Sequence, residues 1–263
     1  MMGFMIPIFR RRSKNSVATE KSLAAPRVIT FWSPKATGKT ILAAALATAL
    51  AGEGRRVACV DYDLLTPDLP GRGYGLDQVV EEVLRGDFDP NVTALKLPCL
   101  KPARVHLLSG LTDPVRAENL GGNELLSLVN ALAEHYDTVI IDSNQTLAQE
   151  ATLVALDVAD LIIVPVTPKE NVVQHIGCYL GVMGNDLCLD MKKVRLVVNH
   201  WMVKAGALST GDIERVLGRE IAVEIPHCHE WENWNGRNLP PIEGREYLLH
   251  SMVNTSNLPE GRC

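Results

Sequence analysis

Residues 27–53 read RVITFWSPKATGKTILAAALATALAGE, and the fold turns on how this stretch is divided. Arg27–Trp32 is β-branched and aromatic, the composition of a short buried strand. Thr40–Glu53 is built from Ala and Leu, which predicts a strong helix ending near Gly54. Between them lies Ser33-Pro34-Lys35-Ala36-Thr37-Gly38-Lys39-Thr40. A strand that turns through Gly-Lys-Thr into a helix is the setting of a phosphate-binding loop. The backbone N–H groups and the helix N-terminus face the phosphates there. Gly38 allows close approach, Lys39 reaches the β- and γ-phosphates, and the Thr40 hydroxyl is placed to ligate Mg²⁺. Ser33 stands where G-x-x-x-x-G-K-[ST] has its first glycine. A Gly-Lys-Thr triplet alone is a weak signal, and the alternative is an ordinary strand-to-helix turn with an exposed Lys39.

The rest of the chain repeats the strand–helix alternation. Strands are expected at Arg56–Val60, Arg104–Leu108, Thr138–Ile141, Leu161–Val166, Val194–Asn199 and Ile221–Ile225. Helices are expected at Leu76–Leu84, Glu124–His135, Gln149–Val158, Glu170–Met183 and Gly211–Leu217. This pattern predicts an α/β fold, a mostly parallel twisted sheet with helices on both faces. Ligands of such sheets bind beyond the carboxyl ends of the strands. Polar residues stand at those ends: Asp61 and Asp63 after the second strand, Asp142 after Thr138–Ile141, and Asn199 after Val194–Val198. Each has a plainer alternative as a strand-end turn or cap.

Ser33–Thr40 resembles the deviant phosphate loop of the MinD/ParA-type ATPases, x-K-G-G-x-G-K-[ST], and the resemblance spans roughly residues 27–242. It implies a P-loop NTPase of the SIMIBI class that takes ATP and Mg²⁺. Lys35, Ala36, Thr37, Gly38, Lys39, Thr40 and Ile41 would hold the nucleotide. Thr40, Asp63 and Asp142 would hold or orient the metal, and Asn199 would read the adenine. Asp63 would orient the attacking water, with Asp61 in support. The family's second lysine reaches the partner subunit's nucleotide; here Pro34 occupies its position and Lys35 is displaced by one. Lys39 and Lys35 are therefore the catalytic lysines to weigh, and slow hydrolysis is expected. The resemblance also implies an ATP-dependent homodimer and a protein partner in a positioning or assembly system. Val105–Pro114 (VHLLSGLTDP) and Val216–Arg219 are most similar to the CpaE/TadZ pilus-assembly branch. A partition or division-site ATPase and an inactive nucleotide-binding scaffold remain as alternatives.

Composition agrees with this class. Hydrophobic residues are 46% but aromatics only 5%, so the core is aliphatic, as parallel sheets require. A net charge of −5 offers no general reason to bind nucleic acid. Cysteines at 59, 99, 178, 188, 228 and 263 form no C-x-x-C pair and read as reduced thiols of a cytoplasmic protein. His227-Cys228-His229 looks like a metal cluster, but neighbouring side chains diverge in extended chain and no further ligand is evident, so no metal is expected there. In the flanking segment 1–26, apolar Met1–Phe9 runs into Arg10, Arg11 and Arg12. This segment reads either as a flexible start or as an anchor, through residues 1–14, on an anionic membrane surface at the inner face. Residues 243–263 read as a tail, either a cap or a loose end.

Overall fold

The computed structural model describes residues 26–71, 73–200 and 207–254. In chain order its elements are β1 (Val28–Phe31), α1 (Lys39–Gly52), β2 (Val57–Tyr62), α2 (Leu76–Arg85), α3 (Pro90–Lys96), β3 (Cys99–Leu100), β4 (Val105–Leu108) and α4 (Gly122–His135). There follow β5 (Thr138–Ser143), α5 (Glu150–Val158), β6 (Leu161–Val166), α6 (Glu170–Asn185), β7 (Val194–Asn199), α7 (Thr210–Leu217), β8 (Ile221–Ile225), α8 (His229–Glu232) and α9 (Glu246–Ser251). The strands form one sheet in the order β3-β4-β2-β5-β1-β6-β7-β8. Every pairing is parallel except that of the two-residue β3 with β4. The expected α/β architecture is therefore the one observed.

The central strands are buried on both faces, so successive side chains enter different cores. On β2, Val57 and Cys59 face α1, α8 and α9, whereas Ala58 and Val60 face α2, α4 and α5. On β6, Ile163 joins the α1 core while Ile162 and Val164 pack under α6 and α7. Helix α1 is buried nearly all round, and its Ala and Leu residues are enclosed by the sheet and by α9. Alanine suits this place because a helix of small side chains can lie close to a sheet at little entropic cost.

The structure adds elements beyond those expected. Helix α3 starts at Pro90, and the Asp89 carboxylate caps it by accepting from the N–H groups of Asn91 and Val92. Beyond residue 242 the chain forms α9, whose Leu249, with the following Met252, is fully buried against the α1 side of the core. No helix among the described residues is long and apolar enough to cross a membrane. Residues 1–25 of the N-terminal segment, where the surface anchor was read, lie outside the described residues.

Candidate nucleotide site

β1 ends in a loop that is pinned from the start. The Trp32 N–H donates to Ile163 O at 3.0 Å, and Ser33 and Pro34 are buried. The loop closes at Gly38, which has φ of 81° and caps α1, with its carbonyl accepting from Leu42 N–H at 3.1 Å. That backbone conformation favours glycine, and here space favours it too. A β-carbon at Gly38 would lie 2.6 Å from Nδ2 of Asn199.

A cavity of about 340 Å³ opens above this loop. The loop lines its floor with Ala36, Thr37, Gly38, Lys39, Thr40 and Ile41, all expected at the phosphates. Lys39 is only 7% exposed. Lys35 is half-buried and is not part of the lining. The other walls come from Asp63, Thr66, Asp68 and Gln145, and from Trp231, Trp234, Asn235 and Gly236 after β8. Asn199 is not in the lining. It is buried below the loop, and its amide donates to Thr37 O at 2.9 Å.

Three strand-end carboxylates differ sharply in their surroundings. Asp61 and Asp142 are register partners on β2 and β5, and both are buried. Asp61 accepts from the N–H groups of Asp63 and Leu69, each at 3.0 Å, and so shapes the turn after β2. Burial, and then the Asp142 charge, hold its pKa well above the ordinary carboxylate range. Asp63 lines the cavity, yet both its oxygens are engaged. Oδ1 accepts from Thr66 N–H at 2.9 Å, Leu65 N–H at 3.3 Å and Asn144 Nδ2 at 2.6 Å, and Oδ2 accepts from the Thr66 hydroxyl at 3.1 Å.

Asp142 is the exception. Its Oδ1 is buried with no hydrogen-bond partner. Burial pushes its pKa up to about 7, against the opposing effects of the Lys39 charge and a hydrogen bond from Thr40. A buried carboxylate oxygen without a donor is costly unless something else comes to it. A hard divalent cation is a fitting occupant, because it takes carboxylate, hydroxyl and water oxygens together with phosphate. Asp142 and Thr40 therefore suit Mg²⁺, whereas Asp63 already accepts three donors on Oδ1 and one on Oδ2.

The sequence reading missed Thr66, Asp68, Gln145, Trp231 and Trp234. Asp68 has its pKa raised by burial, and then by Asp63, with Lys39 opposing. It reaches the cavity only because the chain folds back after β2. The two tryptophans are held by donation from their indole N–H groups, Trp231 to Pro241 O at 2.8 Å and Trp234 to Asn238 O at 2.7 Å. A tryptophan so far from the phosphate loop in sequence could have been found only as an unexplained aromatic pair near the end of the last strand.

Residues 35–242 match the CbiA family, described as the CobQ/CobB/MinD/ParA nucleotide binding domain. Among solved structures, a ParA family ATPase from Chlorobium tepidum is similar with a TM-score of 0.72 at 20% identity, over 86% of this chain and 97% of that one. The septum site-determining protein MinD from Pyrococcus horikoshii, complexed with Mg-ADP, gives 0.70 at 19% identity, over 86% and 94%. A chain of the MinC:MinD cell division protein complex of Aquifex aeolicus gives 0.63 at 21% identity, over 90% and 99%. No curated protein matches the sequence.

Proposed function

Because the chain belongs to the CobQ/CobB/MinD/ParA nucleotide-binding family, we propose that it binds Mg-ATP over the Ser33–Thr40 loop and uses it as a switch for positioning or assembling other proteins. The observation that carries this is the unpartnered, buried Asp142 Oδ1 beside Thr40 and Lys39, two of the residues 36–41 that floor the cavity. Lys39 would meet the β- and γ-phosphates, and Thr40 and Asp142 would hold Mg²⁺, which when bound offsets phosphate charge. Trp231 and Trp234 would flank the base end, since an aromatic wall suits a nucleobase. Asn199 would act through the loop, by holding Thr37, instead of touching the base.

Hydrolysis is slow in this reading. Pro34 is buried where the family's second lysine would stand, and proline offers neither charge nor a backbone donor. Asp63, the residue to orient a water, already accepts from Thr66, Leu65 and Asn144. The biological role we favour is pilus or secretion-system localisation, on the Val105–Pro114 resemblance, as an ATP-dependent homodimer with a protein partner. Calorimetric titration of Mg-ATP into the wild type and Lys39→Ala tests the binding. Micromolar-range affinity in the wild type and none in the variant is expected, and equal affinities would overturn the reading.

A further inference from the structure

The segment after β8 carries a second cluster of ligand atoms that the nucleotide reading does not use. Its sequence is His227-Cys228-His229-Glu230-Trp231-Glu232. In extended chain the two imidazoles would diverge. Here the chain turns into α8 at His229, which brings Glu232 one helical turn on, at i+3, beneath both rings. His227 Nε2 lies 3.2 Å from Glu232 Oε1, and His229 Nδ1 lies 3.6 Å from Glu232 Oε2. The two imidazole rings stand edge to face, with centroids 4.6 Å apart. One donor atom from each of the three residues falls within 4.8 Å of the others. The absence of a further ligand, on which the sequence reading set this cluster aside, is thus corrected by the helix.

We propose that His227, His229 and Glu232 form a binding site for a divalent transition metal of the Zn²⁺ class. Two imidazoles and a carboxylate suit such an ion, and suit Mg²⁺ poorly. Around a tetrahedral ion with bonds of about 2.0–2.2 Å, ligand atoms stand roughly 3.3–3.5 Å apart. The His227–Glu232 distance of 3.2 Å lies close to that span, and the widest separation in the trio, up to 4.8 Å, would shorten on metal entry. His227 Nδ1 is buried without a hydrogen-bond partner, and its Nε2 faces the Glu232 carboxylate. Cys228 takes no part. Its thiol is buried in the core and donates to Glu230 at 3.0 Å. Three protein ligands leave a fourth position for water or an exogenous group.

The position gives the site a consequence. Trp231 sits between His229 and Glu232 on α8 and lines the cavity above the phosphate loop. A metal bound across the helix would fix this wall. The consequence for nucleotide rests on the Mg-ATP reading, but the metal site does not.

The test uses the full-length chain without nucleotide, so it stands apart from the nucleotide reading. Zn²⁺ is titrated calorimetrically, and Co²⁺ absorption reports the ligand type. One Zn²⁺ per chain is expected, with a Co²⁺ spectrum that lacks thiolate charge transfer. His229→Ala and Glu232→Gln should each weaken Zn²⁺ at least tenfold. His229 is 85% exposed at its side chain, so its replacement spares the fold. Unchanged affinity in both variants, no binding by the wild type, or thiolate charge transfer in the Co²⁺ form would overturn the proposal.

Discussion

The side-chain amide of Asn199 sits directly behind Gly38: the nitrogen that donates to Thr37 O at 2.9 Å is the one a β-carbon at Gly38 would strike at 2.6 Å. The end of β7 thus buttresses the loop that follows β1, two strands away in the sheet. The loop carries Ser33 in place of a first glycine. Its shape is held at the far end by a glycine in the left-handed region and from below by an amide.

Gly38→Ala meets both obstacles, an unfavourable φ and a collision with Asn199. We expect destabilisation of about 1–3 kcal/mol, in the range for strained backbone positions, and loss of ATP binding. Asn199→Ala should weaken ATP at least tenfold although its amide lies outside the cavity lining. Urea unfolding and calorimetry measure the two effects. Wild-type ATP affinity in Asn199→Ala would mean that the buttress does not matter.

Asp142 predicts a pH dependence with an unusual sign. Its folded pKa, about 7, lies above that of an unfolded aspartate, near 3.9. Between those values the unfolded chain has released the proton and the folded chain still holds it. This group therefore makes stability fall as pH rises from about 4 to about 7. Asp142→Asn should remove that fall and leave the nucleotide-free protein more stable than wild type at pH 7.5, read as a higher urea midpoint. The Mg²⁺-dependent part of ATP affinity should rise over the same window in the wild type and vanish in the variant. A variant less stable than wild type at pH 7.5 would show that the carboxylate is not under strain.

The displaced lysine can be tested by moving it. Pro34→Lys with Lys35→Gly and Ala36→Gly restores the family loop and should raise phosphate release above the wild-type rate. Lys35→Ala alone should slow the wild type by less than tenfold, under about 1.4 kcal/mol of barrier. A fast wild type slowed more than tenfold by Lys35→Ala would give Lys35 the crossing role despite its position.

Residues 1–14 should carry the protein to anionic vesicles, because an apolar Met1–Phe9 run adjoins Arg10, Arg11 and Arg12. Flotation with phosphatidylserine liposomes should be lost when these residues are deleted. Equal flotation of both forms, or none of the full-length protein, would count against the anchor.

The parallel sheet was legible because its strands are short runs rich in Val, Ile and Leu, three of them carrying Asp61, Asp142 or Asn199 at or near their carboxyl ends. The bounds read for Leu161–Val166, Val194–Asn199 and Ile221–Ile225 are those observed. Helix α3 carried a readable start in Asp89-Pro90, but at seven residues it has too little periodicity to register beside longer helices. Helix α9 exists through tertiary packing of Leu249, which no local pattern announces. At the site, Lys39, Thr40 and Asp142 could be read from motif and strand ends. Asp68 and the tryptophans could not, since a chain reversal and a distant loop bring them in. Glu232 became a partner of the histidines only once residues 229–232 were known to be helical.

Helix α1 gives the phosphate loop a rigid footing. Eleven of its residues, from Lys39 to Ala51, are buried, and α9 closes the side the sheet leaves open. A rod enclosed in this way cannot tilt or slide without opening close-packed contacts on every side. The loop is therefore an anvil. On the Mg-ATP reading, whatever shifts when a terminal phosphate arrives or departs would be borne by the rim: the turn at Thr66 and Asp68 on one side and the two tryptophans on the other. A partner that senses the proposed nucleotide would then grip that rim, since the floor proposed for the phosphates stays put.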